Sequence, residues 1–214
     1  MAGVTVDPLL VGEATVAGGL LAASHREYPA FRLLFPDPAM RARVLRPFMA
    51  SAARDAARYG RPLAARVDGR LVGVALWMPP GRFPLSPLRK ARMVPALARA
   101  GLAAGVRFVR FARVAPVLEQ GLPDGRFWYL QAMGVHPSAQ RQGIGSALMA
   151  AGLALVDTDN LVCHLHTSDQ ANLAYYGRWG FELTQPAIQA GADGPTYYGM
   201  TRPPARPGDE FERL

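Results

Sequence analysis

One cysteine in 214 residues, Cys163, leaves no partner for an internal disulfide and points to a reducing, cytoplasmic setting. It stands in the apolar run Leu161-Val162-Cys163-His164-Leu165. A small buried hydrophobe is expected there rather than a nucleophile. One lysine, Lys90, excludes a P-loop, which needs Gly-Lys-Ser/Thr beside its glycines. No apolar stretch reaches the ~18 residues of a membrane span. The N-terminus, MAGVTVDPLL, lacks the basic-then-apolar order of a secretory signal. Zinc-finger spacing, RNP motifs and aromatic-basic interleaving are also missing, so neither a metal nor nucleic acid is expected as a partner, and no membrane.

The chain is 50% hydrophobic and 19% charged, enough to bury a sizeable core without a second domain. Its net charge of +8 is almost all arginine. Alanine, glycine and proline are abundant too, so the bias fits a GC-rich genome as well as an anionic partner.

The stretch WYLQAMGVHPSAQRQGIGSALM, from Trp128 to Met149, carries the chemistry. An apolar run to Val135 reads as a strand stopped at His136-Pro137. Gly143 and Gly145 follow, and then Ile144, Leu148, Met149, Leu153 and Leu155 recur at helical spacing. A glycine loop that opens a helix aims unpaired N–H groups and the helix dipole at one spot, which suits phosphate or pyrophosphate. A dinucleotide fingerprint would need a third glycine where Leu148 stands.

With Gln140-Arg141-Gln142-Gly143-Ile144-Gly145 the loop resembles the coenzyme A loop of the GNAT acetyltransferase superfamily, Gln/Arg-x-x-Gly-x-Gly/Ala. A second segment, His166 to Leu183, resembles the superfamily's Asn-x-x-x-Tyr-x-x-x-Gly-Phe signature, with Asn172, Tyr176, Gly180 and Phe181. The run from Trp128 to Arg202 is most like the puromycin N-acetyltransferase branch. The resemblance implies a GNAT fold, an α/β architecture with a mixed, mostly antiparallel sheet splayed near its middle and helices on both faces. It implies acetyl-coenzyme A as co-substrate, no metal, and direct acetyl transfer to an amine. Residues 1–202 would form the domain, with a helical insertion at about 87–118, and 203–214 a flexible tail. A small-molecule amine is the expected acceptor. A protein N-terminus or lysine, or a non-catalytic acyl-coenzyme A sensor, is the alternative. Homodimer formation is left open.

Residue by residue, the resemblance assigns pyrophosphate to Arg141, Gln142, Gly143, Ile144, Gly145 and Ser146. It assigns the pantetheine arm to the strand end Met133-Gly134-Val135, with Gly134 alternatively a β-bulge. Asn172, one turn before Tyr176 on the same helix face, would bond a pantetheine carbonyl or serve only the helix surface. Tyr176 resembles the residue that protonates the leaving sulfur, and a phenol near pKa ~10 can donate at neutral pH. Packing against the sheet is its other reading. His166 stands where the puromycin-type pattern has glutamate. As an imidazole of ordinary pKa ~6.5 it could be a general base, a substrate ligand or a core histidine. His164 alternates onto the same strand face, while His25 and His136 show no partner in the sequence.

The remaining elements follow from pattern and punctuation. A strand over Val4–Leu10 and a helix over Glu13–Ser24 are expected. A helix capped by Asp37 and Pro38 should run to Tyr59 and close at Gly60. Asp68-Gly69 should turn a hairpin between Pro62–Val67 and Leu71–Met78. Helices between Pro87 and Leu118 should be interrupted at Pro95, Gly101 and Gly105. Strands are expected from Arg126, over Leu161–His166, Phe181–Thr184 and Thr196–Thr201. A helix over Asp169–Trp179 would have Ser168 as N-cap and Gly180 at its end. Tyr28, Phe31, Phe35, Trp77 and Met78 would line an acceptor pocket or fill the core. Arg89, Arg92, Arg99, Arg107, Arg110 and Arg113 would form a basic stripe, a solvated face beside the substrate cleft or a contact for a membrane or partner.

Overall fold

The computed structural model describes residues 3–104 and 106–205. Its strands are β1 (Val4–Pro8), β2 (Leu63–Val67), β3 (Arg70–Met78), β4 (Phe127–Val135), β5 (Val162–Thr167), β6 (Glu182–Gln189) and β7 (Thr196–Arg202). They form one seven-stranded sheet in the order β1-β2-β3-β4-β5-β7-β6. β4 and β5 are parallel, and every other pair is antiparallel. The helices are α1 (Ala14–Ser24), α2 (Pro29–Leu34), α3 (Pro38–Tyr59), α4 (Pro87–Ala104), α5 (Val106–Ala112), α6 (Val114–Glu119), α7 (Ile144–Asp159) and α8 (Ala171–Gly177).

Two apolar layers sandwich the sheet. On one face Leu21, Leu45 and Met49 of α1 and α3 pack with Val74, Leu76 and Tyr129. On the other Ile144, Leu148 and Leu153 of α7 pack with Trp77, Trp128 and Leu165. The alternation of Leu76 and Trp77 along β3 puts one residue in each layer, as the pleat requires. A mixed, mostly antiparallel sheet with helices on both faces is therefore present.

Local chemistry explains much of this order. The Asp68-Gly69 turn has φ of 49° and 75°, the double left-handed conformation that matches hairpin twist. The Asp37 carboxylate accepts from Met40 N–H at 2.6 Å and starts α3 one residue before Pro38. Gly60 ends α3 in extended backbone, and its need for glycine is steric: a Cβ there would lie 2.6 Å from the Trp77 carbonyl oxygen.

Several expectations change. The chain continues in helix through Pro95 and Gly101 within α4, and the break expected at Gly105 lies outside the described residues, as does 206–214 of the expected tail. Ser168 does not cap α8. Its hydroxyl accepts from Ala30 N–H at 3.1 Å, while Asp169 accepts from Ala171 N–H at 3.0 Å. β6 reaches Gln189, because register shifts carry it past Pro186. The short helix α2 has little sequence signal beyond Pro29. Buried Arg41 holds its end, donating to the Phe35 carbonyl at 2.8 Å and pairing with Glu27 at 3.0 Å.

Candidate active site

The sheet opens between its two parallel strands. β4 pairs with β5 only over Phe127–Leu130 against Val162–Leu165. β4 then continues to Val135 and β5 to Thr167 without pairing to each other. On its other edge β4 stays paired to β3, with Met133, Gly134 and Val135 opposite Ala75, Val74 and Gly73. The register there skips Gln131, since Leu76 faces Ala132 and Trp77 faces Leu130. The bulge expected as one reading of Gly134 thus sits at Gln131, where the strands part. A bulge adds twist and turns its strand away from a neighbour. Gly134 is small for another reason: a Cβ would meet the Ser24 hydroxyl of α1 at 2.1 Å. One edge of Met133-Gly134-Val135 is therefore open to an extended ligand, while the Gln140 side-chain amide donates to the Val135 carbonyl at 3.2 Å.

The strand leads through His136 into the glycine loop. Arg141 has φ of 61° and Gly143 has φ of 80°, and Gly143 is the N-cap of α7. Glycine suits the second position because a side chain there would be held in the left-handed region. No side chain caps α7, so the N–H groups of Ile144, Gly145 and Ser146 have no intrahelical partner. Arg141, Gln142, Gly143 and Ser146 are exposed and Gly145 is half-buried. Ile144 is 1% exposed, so it offers the loop only its backbone while its side chain anchors α7. A Cβ on Gly145 would make only ordinary contacts, the nearest at 3.5 Å to the Tyr175 hydroxyl. The open strand edge and the uncapped helix start fit a chain ending in phosphates.

At the fork stand His164 and His166, on the same face of β5 with rings 4.6 Å apart. His166 follows Leu165, the last residue paired to β4. Tyr129, across from His164 in the register, has its hydroxyl 3.1 Å from His166 Nδ1, and Phe83 stacks on its ring at 3.8 Å. His166 Nε2 lies 3.3 Å from His164 Nε2. Both nitrogens of His166 are thus engaged. Burial pulls its pKa down to about 4, partly offset by the Gln185 amide. Burial, with repulsion from His166, takes His164 down to about 3. Both rings are neutral at pH 7.

Tyr176 packs on α8 beside Tyr175 and Phe181, at 5.3 and 6.0 Å between ring centres. Burial raises its pKa, and the neighbouring phenols Tyr28, Tyr175 and Tyr129 raise it further. It stays protonated at neutral pH. Among the described residues no group takes its hydroxyl in a hydrogen bond. Asn172 Nδ2 donates to Thr167 Oγ1 at 3.4 Å, which directs the amide to the end of β5. Tyr28 closes this end: its hydroxyl lies 2.6 Å from Thr167 Oγ1 and accepts from Ser168 N–H at 2.8 Å.

Other sequence candidates lie elsewhere. Phe31, Phe35, Trp77 and Met78 are core residues, 8% exposed or less. Of the arginines, Arg89 is buried against Asp55 with its Nε donating at 2.9 Å, so it leaves the expected solvated stripe. Arg92, Arg107, Arg110 and Arg113 are exposed, and the side chain of Arg99 lies outside the described residues. His25 is half-buried and bonds the Leu21 carbonyl at 2.9 Å, while His136 bonds Ser138 at 2.8 Å. Cys163 is fully buried and its thiol pKa is pushed up, as an inert core residue. The sequence did not single out Tyr129 or Phe83. The signal for Tyr129 was its parity with His164 and His166, which becomes visible only once the β4–β5 register is known.

Comparison with known proteins agrees with this fold. The Acetyltransferase (GNAT) family matches residues 22–181. A structure from Corynebacterium glutamicum, described as histone acetyltransferase HPA2 and related acetyltransferase, is similar at 26% identity and a TM-score of 0.69, over 97% of this chain and 99% of that one. The ribosomal-protein-S18-alanine N-acetyltransferase of Escherichia coli shares the fold at 15% identity and a TM-score of 0.56, over 97% and 98%. PaiA N-acetyltransferase of Thermoplasma acidophilum, in complex with coenzyme A, shares it at 11% identity and a TM-score of 0.57, over 94% and 99%. The chain belongs to the GNAT acetyltransferase family.

Proposed function

We propose that this protein transfers an acetyl group from acetyl-coenzyme A to the primary amine of a small molecule, within the branch that resembles puromycin N-acetyltransferase. The observation that carries the reading is the fork itself. The free edge of β4 runs from the Gln131 bulge to a helix start that no side chain caps. The thioester co-substrate supplies an activated acetyl group, and the chain supplies the rest. The N–H groups of Ile144, Gly145 and Ser146 hold its pyrophosphate. Met133, Gly134 and Val135 align its arm by main-chain pairing, and Asn172 steadies that arm near Thr167. Arg141 and Gln142 shape the loop. Tyr176 keeps its proton and donates it to the departing sulfur. Tyr129, backed by His166, receives the proton that the amine must lose. His166 thus acts through the Tyr129 phenol rather than by direct contact, since both its nitrogens are engaged.

The acceptor side favours a small, largely apolar amine. Tyr28, Phe83, Tyr129, His166 and Tyr197 come from five different segments, and both histidines are neutral. Phe111 of α5 packs on Phe31, Phe35 and Phe48, laying the helices between β3 and β4 against this flank. A protein amine is the second reading, favoured by the histone acetyltransferase description of the Corynebacterium structure.

The test is thiol release from acetyl-coenzyme A over a panel of aryl and alkyl amines, polyamines and peptides with free N-termini or lysine. Turnover with small amines above the peptide background is expected. Peptide-only turnover would move the acceptor to protein. Stabilisation by acetyl-coenzyme A without thiol release from any amine would make the protein a sensor.

A further inference from the structure

Beyond the groups that touch substrates, a file of hydrogen bonds leaves the fork through the sheet. Tyr129 Oη lies 3.1 Å from His166 Nδ1, and His166 Nε2 lies 3.3 Å from His164 Nε2. His164 Nδ1 lies 2.8 Å from Thr201 Oγ1, and Thr201 Oγ1 lies 2.9 Å from the exposed Thr184 Oγ1. Thr184 Oγ1 can also donate to the Gly199 carbonyl at 3.3 Å. His164 is 1% exposed, and its ring has no role in the transfer chemistry described above.

We propose that His164, Thr201 and Thr184 form a proton exit, carrying the amine's proton from Tyr129 and His166 to solvent at the outer strands of the sheet. The proposal rests on the acetyltransferase reading of the fork. Attack by an amine requires its ammonium form to lose a proton, and a cleft filled by two substrates holds little water.

The direction of the file is fixed by satisfaction of its ends. If every donor points outward, Tyr129 O–H gives to His166 Nδ1 and His166 Nε2–H to His164 Nε2. His164 Nδ1–H then gives to Thr201, Thr201 O–H to Thr184, and Thr184 O–H to the Gly199 carbonyl or water. Every hydrogen has an acceptor. In the reverse order the buried Tyr129 hydroxyl would have none among the described residues, and a buried donor left unpaired is disfavoured.

The balance is simple. Of the two protons the ammonium nitrogen loses, one passes to Tyr129 Oη while one leaves Thr184 Oγ1 for water, and the other replaces the proton that Tyr176 gives to the sulfur. Each residue between gains one and gives one, so all end neutral. One passage inverts the two imidazole tautomers, and after the products leave, one proton entering at Thr184 and one leaving Tyr129 to the opened cleft restore them. The groups around the pair suit transit rather than storage. Tyr129 from β4 faces it, with Tyr28, Tyr197 and Glu119 in electrostatic reach of that phenol, and the Gln185 amide of β6 lies at His166. The Glu119 carboxylate acts on the Tyr129 phenol and on neither imidazole, so a proton that arrives moves on.

Two measurements test the exit. Nitrogen-15 NMR of the wild-type protein at pH 7 should show His164 protonated at Nδ1 and bare at Nε2, and His166 the opposite. In parallel, Thr201→Val should lower turnover with the best amine of the panel by roughly 10–100-fold, below the ~10²–10⁴ typical of a direct proton donor. It should change the solvent isotope effect while leaving KM for both substrates alone. Thr201→Ser, which keeps the hydroxyl, should restore wild-type values, and Thr184→Val should fall between. The inverted tautomers would overturn the exit whether or not the protein is active. So would wild-type turnover and isotope effect in Thr201→Val. Absence of thiol release from every amine by wild-type protein, with the stated tautomers in place, would instead overturn the acetyltransferase reading.

Discussion

Tyr176 and His166 answer to the same solvent exclusion with opposite consequences. Burial disfavours the charged form of any group. It therefore holds the Tyr176 phenol in its protonated, donating state and the His166 imidazole in its neutral, accepting state. Tyr176→Phe keeps the ring that packs on Phe181 and removes the donor. Turnover should fall by roughly 10²–10⁴-fold with co-substrate affinity almost unchanged, read from single-turnover rates beside a binding isotherm. For His166 an ordinary imidazole would give an activity limb near pH ~6–7. In the structure its pKa is about 4, so the accepting form persists and activity should fall only as pH drops toward that value. A kcat/KM profile of the free enzyme flat between pH 6 and 7, in wild type and in His166→Gln alike, is the expected outcome. An inflection there that disappears in His166→Gln would show a solvated ring. Gly143 is the third residue with a sharp demand. Gly143→Val puts a β-branched residue at φ of 80°, so it should abolish the thermal shift given by acetyl-coenzyme A.

Among the elements, α4 shows what sequence could and could not carry. Its helical period was legible, yet its basic face read as solvated because arginine is mostly exposed. Tertiary pairing overrides that: Arg89 and Asp55 of α3 have side chains 9% and 8% exposed, and Arg89 also lies 4.8 Å over the Tyr59 ring. Removing one partner of a buried pair leaves the other uncompensated. Asp55→Ala should cost about 3–5 kcal/mol, measured by urea unfolding, whereas the exposed Arg110→Ala should change stability by less than about 0.5 kcal/mol. Pro95 gave the opposite error, since a helix held by packing can absorb a proline that would end an isolated one. The elements read correctly carry their own punctuation: Asp-Gly between β2 and β3, Asp37-Pro38 before α3, two glycines before α7. Those read poorly, α2 and the long β6, are held by side-chain and strand partners, Arg41 and β7, rather than by punctuation of their own. The fork belongs to both groups. Its loop was visible in Gln140 to Gly145, but the Gln131 bulge and the Tyr129–His166 contact depend on register between strands far apart in sequence.

For the whole molecule, the buried histidines tie stability to pH. His25, His164 and His166 all have pKa values lowered by burial, the last two to about 3 and about 4. The unfolded chain would titrate them near pKa ~6.5. Between those limits the unfolded state binds more protons than the folded one, so stability rises with pH. Their contribution is fully present above about pH 6.5 and is lost progressively as pH falls toward the folded values. Carboxylates complicate the picture only at lower pH, because ordinary Asp and Glu titrate near ~4. The window from pH 6.5 to 5 therefore reports mainly the histidines. The melting temperature of the wild type should fall steadily across that window. His164→Gln retains a side chain able to bond Thr201 but cannot take up a proton, and should flatten the slope even if it lowers stability at pH 7. An unchanged slope in His164→Gln would mean that the fork hydrates on acidification and lets the ring charge in place. The exit path would then be open to bulk water rather than a closed file of side chains.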